Sequence, residues 1–252
     1  NKIKSIVDQM SSTNFVHDED MGTDFDDADS HIQDTVKFKV KSGFETIDHM
    51  LGGGWDIQTL NVLMAETNNG KSLWMQNFAV KSSDLGYNVL YITLEMSERK
   101  VLKRMGSIRL KIPINDYDRI SKDPEIIKKK IANLKNTPNG IGDDIFDKKV
   151  GKIITKFWAA GTTTIGDIDN YISKLRDKRS IKIDLIIVDY ITLIAPQKGS
   201  VDNLYSKGKS LAEGLRAIAA KYKCPLITGV QVAKEAWNSN DITLEQVPES
   251  KA

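Results

Sequence analysis

Short apolar runs rich in Val, Ile and Leu alternate with longer amphipathic stretches along most of the chain, and each run ends at turn-forming residues. Runs of this kind predict strands. The predicted strands cover 60–65, 88–94, 152–158, 184–190 and 225–231. Several are apolar throughout, which is typical of parallel strands buried on both faces. The alternation therefore predicts an α/β fold with a mostly parallel sheet and helices on both faces.

The stretches between these runs carry the spacing of amphipathic helices. We predict helices over 73–82, from a cap at Ser97 to about 110, over 123–136, from a cap at Thr164 to about 178, and over 206–223. A shorter helix is predicted between a cap at Ser42 and a stop at Gly52. The last helix should turn four residues inward: Leu211, Leu215, Ile218 and Ala219.

The first 35 residues differ from the rest. Residues 2–11 carry a helical apolar stripe, and the acidic segment 18–29 that follows predicts a flexible linker. Because nothing adjacent could cover the stripe, we expect this helix to dock on another subunit or on a further part of the protein. Packing on the chain's own core is the alternative. The domain boundaries predicted here are 1–35 for the helix and linker and 36–252 for a compact domain.

Composition adds few constraints. The 252 residues carry 36 basic and 34 acidic side chains, a net charge of +2, which excludes a uniformly basic protein but not a local nucleic-acid groove. The single cysteine, Cys224, lies in an apolar segment and should be a buried core residue, and no Cys/His metal spacing occurs. No signal peptide is visible, and no apolar run approaches the roughly 18 residues of a membrane span, so no membrane partner and a cytoplasmic location are expected. Because the chain begins at Asn1 rather than Met, we expect it to be a piece of a longer protein.

One strand runs into a loop with the residue types of a phosphate cradle, in the sequence L-N-V-L-M-A-E-T-N-N-G-K-S. In such loops backbone N–H groups bind phosphates, a lysine reaches the β- and γ-phosphates, and the following hydroxyl binds Mg²⁺. The predicted phosphate-binding residues are Ala65, Glu66, Thr67, Asn68, Asn69, Gly70, Lys71 and Ser72. The strict pattern has glycine where Ala65 stands, and Glu66 brings a carboxylate near the phosphates. A Gly-Lys-Ser turn with a purely structural role is the alternative.

Three further strands end in polar side chains that suit the same site. Asp189 ends D-L-I-I-V-D and could hold the metal's shell from the far side, which together with Ser72 predicts an Mg²⁺ site. Glu95 follows the second strand and could orient a water for attack on the γ-phosphate. Gln231 ends the last strand and could sense the γ-phosphate. Each has a structural alternative: a turn residue, a helix-start acid and a buried strand cap, respectively.

In this order, A-E-T-N-N-G-K-S, I-T-L-E-M-S-E, L-I-I-V-D-Y and I-T-G-V-Q resemble the ATPase domain of DnaB-family replicative helicases, most of all those of T-even-like tailed phages. The resemblance implies a RecA-like P-loop NTPase core over 36–252. It implies ATP and Mg²⁺ as cofactors, and a homo-oligomer, a hexameric ring around single-stranded DNA. In that ring ATP hydrolysis drives 5′ to 3′ movement and unwinding of duplex. It also implies a primase and a helicase loader as candidate partners, and the host cytoplasm as location if the protein is phage-encoded.

Carried over by position, the resemblance makes Lys71 a catalytic and phosphate-binding residue, Glu95 the catalytic base and Asp189 the Walker B acid. Gln231 becomes the residue that couples nucleotide state to the DNA loops, and the stripe at 2–11 resembles a linker helix that packs on the neighbouring subunit. In RecA-type rings the loops after the fourth and fifth strands, here 195–209 and 232–252, line the DNA channel. The candidate DNA-binding residues on them are Lys198, Lys207, Lys209 and Lys234.

The family continues past the point where this sequence stops, with further strands and an arginine finger for the neighbour's site. The domain is therefore expected to be C-terminally incomplete and to bind ATP better than it hydrolyses it. Two other classes of protein stay open: a recombinase or clock-type ATPase of the same superfamily, and a non-hydrolysing assembly or loader module switched by nucleotide. A dehydrogenase is disfavoured because no G-x-G-x-x-G follows a strand.

Overall fold

A computed structural model of the chain describes residue 26 and residues 39–136, 150–196 and 204–231. The chain divides into two units, 1–37 and 38–252, and the fold below belongs to the second unit. The helix and the acidic linker predicted within residues 1–35 lie outside the described residues, apart from Asp26.

A parallel sheet of five strands forms the centre of the fold, in the order β3-β7-β6-β4-β5. A separate antiparallel pair, β1 and β2, precedes it. The strands are β1 (Lys39–Val40), β2 (Trp55–Asp56), β3 (Leu60–Ala65), β4 (Val89–Thr93), β5 (Ile153–Phe157), β6 (Leu185–Asp189) and β7 (Leu226–Gln231). The helices are α1 (Glu45–Met50), α2 (Lys71–Asp84), α3 (Glu98–Leu110), α4 (Ile114–Ile120), α5 (Pro124–Asn136), α6 (Ile165–Arg179) and α7 (Leu204–Tyr222), and a 3₁₀ turn spans Ile191–Leu193. The predicted α/β fold with a parallel sheet is confirmed.

Helices cover both faces of the sheet because the central strands are apolar on both sides. Along β4 and β6, successive side chains alternate between two core clusters, as the period of a strand requires. One cluster packs against α6 and α7 and contains the four residues predicted to face inward: Leu211, Leu215, Ile218 and Ala219. The other packs against α2 and α3 and includes Met75, Phe78, Val101 and Met105. The second face carries the candidate site.

Three helix N-caps were predicted from the sequence, and the structure differs in how far it agrees with each. Thr164 caps α6 with a capping box, accepting from the Asp167 N–H while the Asp167 carboxylate accepts from the Thr164 N–H. Ser97 occupies the N-cap position of α3 without a capping hydrogen bond from its side chain. The cap predicted at Ser42 is wrong, because α1 begins at Glu45 and the Ser42 hydroxyl accepts from the Phe44 N–H instead.

All five strands of the main sheet point the same way, so their carboxyl ends meet at one edge. In the registers, Ala65 at the end of β3 lies opposite Gln231 at the end of β7. Thr93 at the end of β4 lies opposite Asp189 at the end of β6. In open parallel sheets, ligands bind in the crevice beyond this edge. The polar strand ends predicted from the sequence are therefore collected where a ligand would bind.

Candidate active site

The loop between β3 and α2 has the backbone of an anion-binding turn. Gly70 is the N-cap of α2 and adopts a left-handed conformation (φ 78°), and Asn68 does so too (φ 66°). The Asn69 N–H donates to the Glu66 carbonyl at 3.4 Å, which closes the turn. A Cβ at position 70 would meet nothing within 4 Å, so glycine is needed for the backbone conformation and leaves open space beside the helix N-terminus. Such an end, with its free N–H groups, suits a phosphate.

Backbone carbonyls at the start of this loop hold the Lys71 side chain in place. Its ammonium donates to the carbonyls of Ala65 and Glu66, each at 2.6 Å. Burial lowers the pKa of Lys71, while the nearby negative charges of Asp189 and Glu66 act to raise it. Ala65 is the last residue of extended β3, where an L-residue fits without strain. The alanine in place of the pattern's first glycine is therefore compatible with this loop.

Asp189 lies beneath the loop and is almost fully buried, with 1% of its surface exposed. The Ser72 hydroxyl donates to its Oδ1 at 3.0 Å, and the Tyr91 phenol donates to its Oδ2 at 2.7 Å. Burial raises the pKa of the Asp189 carboxyl, and the hydrogen bonds from Tyr91 and Ser72 oppose that shift. Burial, then the Asp189 charge, raises the pKa of Tyr91 well above its ordinary value, so this phenol stays protonated and acts as the donor.

These oxygen atoms fit Mg²⁺ better than a softer metal. Ser72 and Asp189 offer a hydroxyl and a carboxylate, the hard oxygen ligands that Mg²⁺ takes, and Mg²⁺ usually relies on one or two carboxylates plus substrate phosphates and water. Among the described residues no group of three or more His, Cys, Asp or Glu side chains could hold a metal by itself. The site suits a metal that arrives with a phosphorylated ligand.

Glu95 and Gln231 lie on the wall of one cavity of about 540 Å³ that also contacts the loop residues Thr67, Asn68, Gly70, Lys71 and Ser72. Glu95 is exposed and directly follows Leu94, whose N–H donates to the Asp189 carbonyl at 2.9 Å. Gln231 interacts through its side chain with the Tyr190 phenol. The structure thus brings together the phosphate loop, the buried acid and both predicted strand-end residues.

The lysines predicted to contact DNA are not gathered in the same way. Lys207 and Lys209 were expected on a loop, but they lie in α7, which begins at Leu204. Lys209 is within 4.0 Å of Glu213, one helical turn on. The placement on a loop is therefore wrong for these two residues: the loop range 195–209 overlapped the helix predicted over 206–223, and α7 contains both lysines. Lys198 and Lys234 lie outside the described residues.

Three residues of the site were missed by the sequence analysis: Tyr91, Arg104 and Tyr190. Arg104 on α3 and Tyr190 after β6 both line the cavity, and the Arg104 charge acts to lower the pKa of Asp189. Tyr91 is fully buried in the middle of β4. A tyrosine inside an apolar run must bury its hydroxyl and needs a partner there, which was the available signal for Tyr91. Arg104 carried no comparable signal, since a charged residue on a helix is most often a solvated one.

A parallel sheet with Gly70-Lys71-Ser72 at the start of α2 and a buried acid at the end of β6 defines a RecA-like P-loop NTPase core. Residues 39–243 match the family model of the DnaB-like helicase C-terminal domain. The chain belongs to this family.

Individual relatives agree with this assignment. The chain is 31% identical over 214 residues to a DnaB-like replicative helicase of Enterobacteria phage T4, a match that covers 84% of this chain and 43% of that protein. The chain therefore spans less than half the length of this relative.

Two solved structures share the fold at 17% identity. One is a DnaB-like replicative helicase solved in a study of its interactions with primase (TM-score 0.66), and the match covers 87% of this chain and 50% of that one. The other is the structure of an ATPase domain (TM-score 0.67), and the match covers 88% of this chain and 74% of that one.

Within the part of the chain that the structure describes, no helix is both long and apolar enough to cross a membrane.

Proposed function

We propose that this chain is the motor domain of a replicative DNA helicase that binds ATP with Mg²⁺ and hydrolyses it. The observation that carries the proposal is the shared cavity: Lys71, Ser72, Glu95 and Gln231 line it, and the Ser72 hydroxyl is hydrogen-bonded to the buried Asp189. A triphosphate on the loop would meet a cation, a metal-binding pair and a carboxylate at once. A structural Gly-Lys-Ser turn has no reason to collect these groups.

Each side chain has a defined role in the proposed reaction. The loop N–H groups and Lys71 bind the phosphates, and Ser72 and Asp189 hold the metal. When bound, Mg²⁺ neutralises charge on the phosphate oxygens. Glu95 orients the attacking water and accepts its proton, for which its exposed position at the cavity wall is suitable. Gln231 lies where an uncharged amide could report whether the γ-phosphate is present.

The coupling to DNA belongs to the same proposal. Hydrolysis would drive 5′ to 3′ movement on single-stranded DNA and unwinding of duplex by a homo-oligomer, a hexameric ring, with a primase and a loader as candidate partners. Residues 36–252 would form the ATPase domain, and 1–35 a helix and linker that contacts the neighbouring subunit. The similarity to a phage replicative helicase, and to a replicative helicase studied with its primase, supports this interpretation. The contacts of Lys198, Lys207, Lys209 and Lys234 with DNA remain a prediction.

Nucleotide binding is tested with a fluorescent ATP analogue in the presence of Mg²⁺. Lys71→Ala should weaken binding at least about tenfold, because it removes a cation that would face the phosphates. Lys81→Ala is the matched control, since Lys81 lies at the other end of α2. Equal binding by wild type, K71A and K81A would overturn the site assignment.

Hydrolysis is tested by phosphate release with and without an oligonucleotide. Glu95→Gln should bind the ATP analogue as wild type does but lose most turnover, because general-base assistance is worth about 10²–10⁴ in rate. If wild type turns over no faster than E95Q, the nucleotide-switched assembly module is the better interpretation. Strand exchange without unwinding would instead favour a recombinase of the same superfamily.

A further inference from the structure

A buried tyrosine on the central strand β4 carries a role beyond the residues assigned above. We propose that Tyr91 is a positioning residue that fixes the orientation of the Asp189 carboxylate, so that its other oxygen faces Ser72 and the bound Mg²⁺. The inference rests on the proposed function of this site and adds a residue that does not itself line the cavity.

The geometry places one donor on each carboxylate oxygen. Tyr91 donates to Oδ2 at 2.7 Å from β4, and Ser72 donates to Oδ1 at 3.0 Å from α2. These two donors lie on different elements and bind different oxygens of the acid. The Asp189 carboxylate cannot rotate about its χ2 bond without breaking one of the two bonds. Its orientation is therefore set before any ligand binds.

The strand register explains why Tyr91 reaches this acid. Thr93 lies opposite Asp189 and Tyr91 lies opposite Ile187, so Tyr91 is the diagonal neighbour on the face that packs against α2. Its ring belongs to the apolar cluster there and is fully buried. A phenylalanine would fill the same space. The hydroxyl is the additional feature, and burying it is costly unless it is hydrogen-bonded.

A second buried polar group lies next to the same phenol. The Gln76 side chain on α2 has no exposed surface and approaches the Tyr91 hydroxyl, although neither of its amide atoms makes a hydrogen bond of good geometry. The phenol therefore has its hydrogen bond to the acid and a second buried polar side chain close by. Polar groups that hold a metal-binding side chain from behind commonly change metal affinity about 10- to 100-fold when removed.

This arrangement predicts a selective defect. Removing the hydroxyl leaves Oδ2 buried without its donor and frees the carboxylate to turn, which should weaken binding that depends on Mg²⁺. The phosphate loop is untouched, because Tyr91 is not among the side chains at the cavity wall. Binding of nucleotide without metal should therefore be preserved.

The test measures the affinity of the full chain for a fluorescent ATP analogue twice, once with Mg²⁺ and once with EDTA. For Tyr91→Phe, we expect the ratio of the two affinities to fall about tenfold relative to wild type, with the EDTA value unchanged. The half-saturating Mg²⁺ concentration should rise by a similar factor. Tyr87→Phe is the matched control, because its phenol is partly buried near the opposite end of the strand and bonds to the Lys41 backbone. It should leave both affinities unchanged.

The possible results separate this inference from the function on which it rests. If wild type binds no nucleotide, the proposed function fails and this inference with it. If wild type shows the Mg²⁺ effect and folded Y91F keeps it in full, only the role of Tyr91 is overturned. Equal losses with Mg²⁺ and with EDTA would mark Tyr91 as a packing residue and overturn the role as well.

If Y91F is poorly folded, the double-mutant cycle is read from stability, because D189N alone should already remove the Mg²⁺ effect. In urea denaturation, Y91F should lower the free energy of unfolding less in the Asp189→Asn background than in wild type, because the charged acceptor of the phenol is gone. Equal losses in the two backgrounds would contradict the bond from Tyr91 to Asp189 through which the positioning acts.

Discussion

Replacing Asp189 by asparagine should separate stability from function in this protein. The carboxylate is 1% exposed, and burial raises its pKa above the ordinary value of 3.8. A buried group with a raised pKa is less favourable in its charged form than it would be in the unfolded chain. At neutral pH the ionised Asp189 therefore works against folding, and the uncharged amide of D189N should relieve that cost.

The expected change in the free energy of unfolding follows from two opposed contributions, the loss of a hydrogen bond and the relief of desolvation. Each hydrogen bond to a charged acceptor contributes about 1.5–3 kcal/mol, and Asp189 accepts two, from Ser72 and Tyr91. Asparagine keeps one acceptor oxygen, so about one such bond is lost. The effective desolvation cost of a buried ion is several kcal/mol, which is comparable or larger. We expect the free energy of unfolding of D189N at pH 7 to lie between about 0 and 2 kcal/mol above that of wild type.

The raised pKa of Asp189 also determines how the stability difference between D189N and wild type changes with pH. Because the folded-state pKa is raised, the favourable contribution of Asp189 is fully present below its ordinary pKa of 3.8 and is lost as pH rises through the folded-state value. The advantage of D189N over wild type should therefore grow as pH increases across that window and then level off. Urea denaturation of both proteins at a series of pH values measures it.

The functional half of the prediction is a loss of the Mg²⁺-dependent gain in nucleotide affinity, measured with the fluorescent analogue. Asp184→Asn is the control, since Asp184 lies just before the other end of β6 and accepts from the Asn88 N–H at 2.9 Å. A D189N protein destabilised by more than about 3 kcal/mol would show that the charged network is a net support of the fold, and the reasoning from burial would be wrong. An unchanged Mg²⁺ effect in D189N would show that the metal assignment is wrong.

Two further predictions concern residues around the site. Arg104→Ala should weaken binding of the ATP analogue by about 1 kcal/mol, roughly fivefold, because it removes a cation from the cavity wall. Lys100→Ala on the same helix is the control and should not weaken binding. Equal effects of the two substitutions would indicate a general charge effect. Thr164→Ala should lower the free energy of unfolding by about 1 kcal/mol in urea denaturation through loss of the capping box of α6. Thr162→Ala, which loses only a bond to the Ala159 carbonyl, should cost less, and the reverse order would contradict the capping argument.

Much of the fold could be predicted because its signals are local. The runs predicted as β3 and β7 have the predicted bounds or nearly so, since a short, mostly apolar run bounded by turn residues is typical of a strand. The same holds for Cys224, predicted and found in the core, where burial raises its pKa to about 12. Helix α4 and the pair β1 and β2 were missed, because elements this short carry little periodicity and are defined by tertiary contacts.

Some residues of the candidate site could also be predicted from local sequence, and others could not. Lys71, Ser72 and Asp189 could be predicted because local sequence indicates the loop and the two strand ends that carry them. The parallel sheet then brings those strand ends to one edge. Tyr91 and Arg104 could not be assigned, because their roles depend on which strand pairs with which and on how α3 passes the cavity. Lys207 and Lys209 show a different limit: the resemblance placed them on a DNA loop over 195–209, whereas the helical pattern from residue 206 onward was the better guide to their structure.

The ladder between β4 and β6 has a consequence for how this protein can vary in length. A single pairing register sets Tyr91 beside Asp189 and, through the bond from Leu94 to the Asp189 carbonyl, the point at which Glu95 leaves the strand. Inserting or deleting one residue in either strand would turn the following side chains to the opposite face and displace all three groups together. Single-residue insertions and deletions in this strand pair should be among the least tolerated changes in the domain.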